Sequence, residues 1–337
     1  VLLNASKKMN TPAGTTMKAL ILKDTKKATV TDIQTPTCGA NETLLKVTHC
    51  AICRTDAKAW SQGQRDLLLP RVLGHEISGQ NPTTGEQFIV WPAATCNGCE
   101  YCRNGKENLC KNIQVIGFHR DGGLAQYISA PTASLIKIPP TLPSEVACMT
   151  ELMSSAINAI EQVNLQKNQK VLIYGGGPAG LLLALACKYY DAVPFVVEKN
   201  PAKIQLAAKF CQETGVPISI AAPFDGFDVA INAAPDPNTF VEGVRKLKPS
   251  GKYCLFSGFT SNQGLSTDLL NEVHYRQLTL VGAYGSTKRQ METALKIFEA
   301  NPEKIKLLIH KIVQLAEAPE VFPEILGGKA LKYIVKM

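Results

Sequence analysis

The sequence predicts an α/β protein in two parts: a doubly wound parallel sheet and a separate β-rich module that carries a cysteine-dense lobe. Three observations predict it. From residue 171 onward, apolar strand-like runs alternate with helix-like runs, the rhythm of a parallel sheet with helices on its faces. Before that, from residue 18 to about 133, the chain reads as short strands broken by Gly, Pro and Asn. Finally, Cys96, Cys99, Cys102 and Cys110 follow the spacing C-x2-C-x2-C-x7-C, which lets one short lobe turn four sulfurs onto a tetrahedral centre.

Each element follows from the local pattern. Residues 1–16 show no periodicity and read as an arm, and strand character starts over 17–22. The segments 44–49 and 88–91 are strand candidates rich in apolar and β-branched residues. A boundary follows Pro139 and Pro140, after which 145–162 has apolar residues at helical spacing. Strands are then expected over 171–174, 194–198, 227–233, 252–257 and 279–284, and helices over 178–190, 201–211 and 238–247. The last segment ends in strand-like Tyr333-Ile-Val-Lys and is expected to return to the first module. The expected units are therefore 17–145, containing a lobe at 92–115, then 146–286, then 287–337.

At 337 residues the chain is long enough for two separate cores. Hydrophobic residues at 45% and charged residues at 19% suit a globular protein rather than a disordered one. The apolar block 181–187 falls far short of the ~20 residues needed to cross a bilayer, so no membrane partner is expected. The net charge of +8 comes from scattered lysines without interleaved aromatic residues, which argues against a nucleic-acid groove. Eleven cysteines without a leader-like start fit a reducing cytoplasm. There, thiols stay available to metals, and the four-cysteine lobe reads as a closed structural zinc site. A disulfide lobe is the alternative, although complete pairing would leave one of the eleven cysteines over.

Gly175-Gly-Gly177-Pro178-Ala179-Gly180 fits G-x-G-x-x-G between an apolar strand and a helix start. Gly175 permits a tight turn, Gly177 lets a pyrophosphate approach the backbone, and Gly180 lets helix and strand pack closely. The helix start at Pro178 and Ala179 presents free N–H groups to phosphate. A tight turn without ligand is the plain alternative, but Glu198 stands 23 residues after Gly175, where an acidic side chain receives ribose hydroxyls and repels a 2′-phosphate. NAD is therefore expected over NADP. Lys203 completes the expected cofactor contacts, while Lys199 and Lys203 each remain able to offset the charge of Glu198.

A second constellation brackets the lobe. Cys53-Arg-Thr55-Asp56 and Gly74-His75-Glu76 precede it, and Thr150-Glu151 follows. A thiolate, an imidazole and a carboxylate suit zinc and, as three ligands, leave one position open for chemistry. Taken singly, Cys53 reads as a core thiol, His75 as a satisfied histidine and Glu151 as a helix-start carboxylate.

At these residues the chain resembles the zinc-dependent medium-chain alcohol dehydrogenases, most closely the sorbitol and threonine dehydrogenase-like branch, from Met17 to the end. The resemblance implies a Rossmann-type sheet plus a GroES-like catalytic domain and two zinc ions per chain. It further implies that Cys53, His75 and Glu151 bind the catalytic zinc with Glu76 beside it, that Thr55 is the first proton-relay hydroxyl, and that Asp56 orients His75. Asp56 as a simple helix cap is the alternative. The implied activity is hydride transfer between NAD(H) and a secondary alcohol or ketone on a polyol, cyclitol or amino-sugar-like molecule, by a homo-oligomer, dimer or tetramer. Three departures stand out: short stretches after Glu76 and after Glu213, Lys58 where a relay histidine often stands, and Leu152-Met153 after Glu151. A non-catalytic zinc- and nucleotide-binding redox sensor is the alternative from another class.

Overall fold

The computed structural model describes residues 14–337; the arm expected over 1–16 lies almost wholly outside the described residues. Six parallel strands form one sheet, in the spatial order Ile218–Ser219, Val193–Val197, Lys170–Tyr174, Phe227–Asn232, Leu247–Leu255 and Thr279–Gly282. In chain order this reads third, second, first, fourth, fifth, sixth, so the order reverses beside Lys170–Tyr174. Such a switch point opens a crevice at the carboxyl ends of the strands. Val171, Leu172 and Ile173 are fully buried, as a strand covered on both faces must be. Val171 and Ile173 pack with the helices Pro178–Tyr189 and Pro201–Thr214, and Leu172 and Tyr174 pack with Asn238–Lys246 on the other face. Local chemistry sets the helix ends: Asn200 Oδ1 accepts the Ala202 N–H at 2.9 Å, and Gly215 ends that helix at φ 62°.

The β-rich part is built around the long strand Glu42–Ile52, which pairs with Glu76–Gln80, Tyr127–Pro131 and Lys332–Lys336. Ile309–Gln314 runs parallel beside Lys332–Lys336, so the C-terminal strands sit in the same sheet as the strand leading to Cys53. The helix between the two regions, Lys288–Ala300, packs on Thr150–Gln162 and places Met291, Ala294 and Phe298 in the core of the parallel sheet. The cysteine lobe is closed by the two-stranded pair Ala93–Ala94 and Gln114–Val115. Among the described residues, no helix is long and apolar enough to cross a membrane.

Three elements differ from the pattern reading. The run expected as one helix over 145–162 divides into Ser144–Ala147 and Thr150–Gln162. The Thr150 hydroxyl donates to the Ala147 carbonyl at 2.7 Å across the break. The strand expected over 252–257 spans Leu247–Leu255, with Ser250 at φ 63° in the stretch 248–251 that bulges out of the ladder between the paired Leu247 and Lys252. The module read as strands and loops also holds the helix Arg54–Gln62. Nine largely polar residues carry too little periodicity to reveal it.

Candidate active site

The long strand Glu42–Ile52 ends immediately before Cys53, which is the N-cap of the helix Arg54–Gln62. Asp56 closes this turn: its Oδ2 accepts the Cys53 N–H at 2.8 Å. Its Oδ1 accepts the Gly74 N–H at 3.2 Å and lies 3.3 Å from His75 Nδ1. The last contact is electrostatic, since His75 Nδ1 makes no hydrogen bond. Asp56 thus caps the helix and faces the imidazole at once. Glycine is required at this turn: Gly74 sits at φ 95°, and a Cβ there would lie 2.7 Å from Cys50 Sγ and 2.9 Å from Leu124 Cγ.

The structure brings one donor atom each of Cys53, His75 and Glu76 within 4.8 Å of one another. Sulfur, nitrogen and oxygen in one small cluster fit zinc, and Glu76 Oε2 is buried there without a hydrogen-bond partner. Glu151 lies outside this group. It sits in the first turn of Thr150–Gln162, buried, with Oε1 3.5 Å from Ser155 Oγ. Burial pushes its carboxyl up to about 7, with Glu76 and Asp56 pushing the same way and His75 and Lys332 opposing. For His75, burial disfavours the charged ring, but the Asp56 carboxylate and Cys53 outweigh it and hold its pKa well above the ordinary value. Thr55, half-buried, has its hydroxyl 3.4 Å from Cys53 Sγ. The Phe118 ring covers His75 at 5.4 Å between centroids.

Pattern reading missed Lys332. Its side chain is 4% exposed, and its ammonium meets Glu76 Oε1 at 2.5 Å, with Glu76 fully buried. Burial disfavours the ammonium, but Glu76, Cys53 and Asp56 reverse that and raise its pKa. In Lys-Tyr-Ile-Val-Lys it reads as an ordinary strand-end lysine, and no sequence signal marks it as buried.

In the lobe, Cys96, Cys99, Cys102 and Cys110 place their sulfurs within 4.8 Å of one another, with Cys99–Cys102 and Cys96–Cys110 at 3.5 Å and Cys96–Cys102 at 4.0 Å. Tetrahedral zinc at ~2.3 Å from each sulfur requires edges of about 3.8 Å. None of the eleven cysteines is in a disulfide. Backbone N–H groups of Cys102 and Lys111 pull the Cys99 thiol down to about 6, whereas burial and the neighbouring thiols push Cys102 up to about 12. A divalent cation would relieve that conflict.

At the nucleotide turn, Gly175 has φ 113°, and a Cβ on Gly180 would lie 1.9 Å from the Gly175 carbonyl. Gly177 faces open space and caps the helix Pro178–Tyr189 without a side chain, leaving the first-turn N–H groups free for an anion. Pro178 and Ala179 form the first turn of that helix. Glu198 is 8% exposed. Its oxygens already accept the Gly176 and Asn200 N–H groups, each at 2.9 Å. Lys203 stands 3.9 Å from Glu198 Oε2. The two regions meet at the helix Ala318–Gly327. Arg54 donates to Ile325 O and Leu326 O, and Lys203 Cε lies 2.2 Å from where a Gly328 Cβ would stand.

Comparison with known proteins agrees with this geometry. Residues 39–140 match the alcohol dehydrogenase GroES-like domain. The chain is 34% identical over 197 residues to L-galactonate-5-dehydrogenase of Escherichia coli strain K12, a stretch covering 56% of this chain and 58% of that enzyme. It is 29% identical over 290 residues to L-threonine 3-dehydrogenase of Aeromonas salmonicida, covering 80% of this chain and 83% of the relative. A crystal structure described as a zinc-binding dehydrogenase of Sinorhizobium meliloti 1021, bound to NADP, superposes with a TM-score of 0.86 at 25% identity, over 96% of this chain and all of that one. The GroES-like match reaches across the Cys53, His75 and four-cysteine positions and the parallel sheet continues it, so the chain is similar to zinc-type dehydrogenases that include L-galactonate-5-dehydrogenase and L-threonine 3-dehydrogenase.

Proposed function

We propose that the chain is an NAD-dependent zinc oxidoreductase that interconverts a secondary alcohol and its ketone on a small polyol, cyclitol or amino-sugar-like substrate. The cluster of Cys53, His75 and Glu76 donors carries this reading, because it joins a zinc-competent donor set to the chain that builds the Gly175–Gly180 turn. When bound, zinc supplies a Lewis acid for the alcohol oxygen, and the nicotinamide ring supplies the hydride acceptor. Cys53, His75 and Glu151 are the metal ligands in this reading. Glu76, the carboxylate closest to the Cys53 and His75 donors, is able to take the open position. Asp56 holds the imidazole in place, as a carboxylate behind a metal-bound histidine does. Thr55, beside Cys53, carries the substrate proton away. Gly175, Gly177, Pro178, Ala179 and Gly180 cradle the pyrophosphate, with Glu198 and Lys203 at the adenosine ribose.

The same reading takes the chain as a cytoplasmic homo-oligomer, dimer or tetramer. All eleven cysteines are unpaired. The outer strand of the parallel sheet, Thr279–Gly282, has no charged residue and leaves Leu280 43% exposed, an edge that natural proteins seldom leave uncovered.

Two outcomes test the proposal. Freshly purified protein should oxidise a secondary alcohol from a panel of polyols, cyclitols and amino alcohols while reducing NAD. Binding of NAD without turnover of any of them would point to a redox sensor instead. Elemental analysis should find two zinc ions per chain. Cys99→Ser should remove one and lower the thermal midpoint, because a structural zinc contributes directly to folding. Cys53→Ser should remove the other and abolish turnover with the fold retained. Protein that carries one zinc or none before any chelation would overturn the two-site assignment.

A further inference from the structure

The two lysines that flank the ribose carboxylate differ in their partners. Lys203 stands over Glu198 and against Gly328. Lys199, adjacent to Glu198 in the chain, turns its ammonium the other way, to Glu242 Oε1 at 2.8 Å. Glu242 belongs to Asn238–Lys246, whose Phe240 and Val244 pack on the face of the sheet opposite the two helices that follow the Gly-rich turn. Asp236, in the loop before that helix, adds a second negative charge in the field of Lys199. Glu198 cannot swing aside, since both its oxygens are held by backbone N–H groups. A 2′-phosphate placed over Glu198 therefore meets a fixed negative charge, and of the two flanking lysines Lys203 faces Glu198 itself while Lys199 is already engaged by another carboxylate.

We propose that Glu242 is a cofactor-specificity residue: by engaging Lys199 it withholds from a 2′-phosphate the second of the two cations flanking Glu198, and so biases the site toward NAD. The inference rests on the nucleotide reading of the Gly175–Gly180 turn given above. The pair is half-exposed, with Lys199 at 56% and Glu242 at 44%, so it is weak enough to break and the released ammonium is long enough to turn. Removing the Glu242 charge should leave a cation beside the ribose whose pull on a dianionic phosphate is modest in water and screened by salt.

Calorimetric titration of NAD and NADP into the zinc-loaded protein at low ionic strength tests this without any turnover. Glu242→Gln should tighten NADP binding by about threefold to tenfold, as expected for one exposed charge, and leave NAD within about twofold. The gain should vanish in Glu242→Gln combined with Lys199→Ala, and Lys199→Ala alone should leave NADP binding as in the parent. The proposal is overturned if Glu242→Gln has no effect, if it tightens both dinucleotides equally, if the gain survives loss of Lys199, or if Lys199→Ala alone weakens NADP. A parent protein that binds neither dinucleotide overturns the nucleotide reading itself, and the inference with it.

Discussion

Lys332→Met should lower stability by about 3–5 kcal/mol, the usual cost of breaking a buried ion pair from one side. Lys332 and Glu76 are 4% and 0% exposed and meet at 2.5 Å. The ammonium also lies in the field of Cys53, Asp56 and Glu151. Methionine keeps most of the side-chain length but leaves Glu76 negative among other negative groups, with one oxygen already lacking a partner. A bound divalent cation would replace part of the lost charge, so the destabilisation should be larger after chelation than in zinc-loaded protein. Denaturant unfolding of both forms measures the difference. Glu76→Gln on top of Lys332→Met should recover part of the loss, since contacting residues couple. A single variant within about 1 kcal/mol of the parent would show that another group neutralises Glu76, because a loss that small is typical of exposed pairs.

Thr55→Val should leave zinc content and NAD affinity near the parent while cutting turnover by about 10²–10⁴-fold, the range for a positioned proton-transfer group. Valine keeps the branched shape and removes only the hydroxyl. That hydroxyl lies 3.4 Å from Cys53 Sγ, two residues along the turn that the Asp56 cap holds rigid. Lys58, one turn further along the same helix, is half-buried, with its pKa lowered by burial and by Arg54. Lys58→Ala should therefore slow turnover less than Thr55→Val, since it stands farther along any proton path. Steady-state kinetics across pH, with zinc measured on the same samples, separates a lost relay from a lost metal. Turnover within about threefold of the parent, well below the catalytic range, would mean that the proton leaves by another path.

Much of the site was legible because it is local. The turn at Gly175–Gly180 needs its glycines for reasons contained in six residues: a positive φ at Gly175 and no room for a Cβ at Gly180. The four cysteines of the lobe announce themselves by spacing, and their sulfurs gather where that spacing leads. The strands and helices after residue 170 follow from alternating apolar runs punctuated by Pro and Gly. Legibility fails where a short polar helix carries little periodicity, as at Arg54–Gln62, and where a run of helical spacing divides into two helices, as at Ser144–Ala147 and Thr150–Gln162.

The sequence by itself determined the α/β class, the Gly-rich turn, the cysteine lobe and the presence of Cys53, His75, Glu76 and Glu151 as candidates for one metal. Only the tertiary structure decided how they meet. It set Glu76, rather than Glu151, within 4.8 Å of the Cys53 and His75 donors. It gave Asp56 two tasks at once and turned Lys199 away from the ribose carboxylate toward Glu242. It also brought Lys332 to Glu76 across 256 residues of chain. Turns and metal spacings are encoded by neighbours a few residues apart, which restrict one another through backbone geometry. Pairs between distant segments depend on how strands and helices pack, and a lysine destined for a buried carboxylate carries the same letters around it as one destined for water.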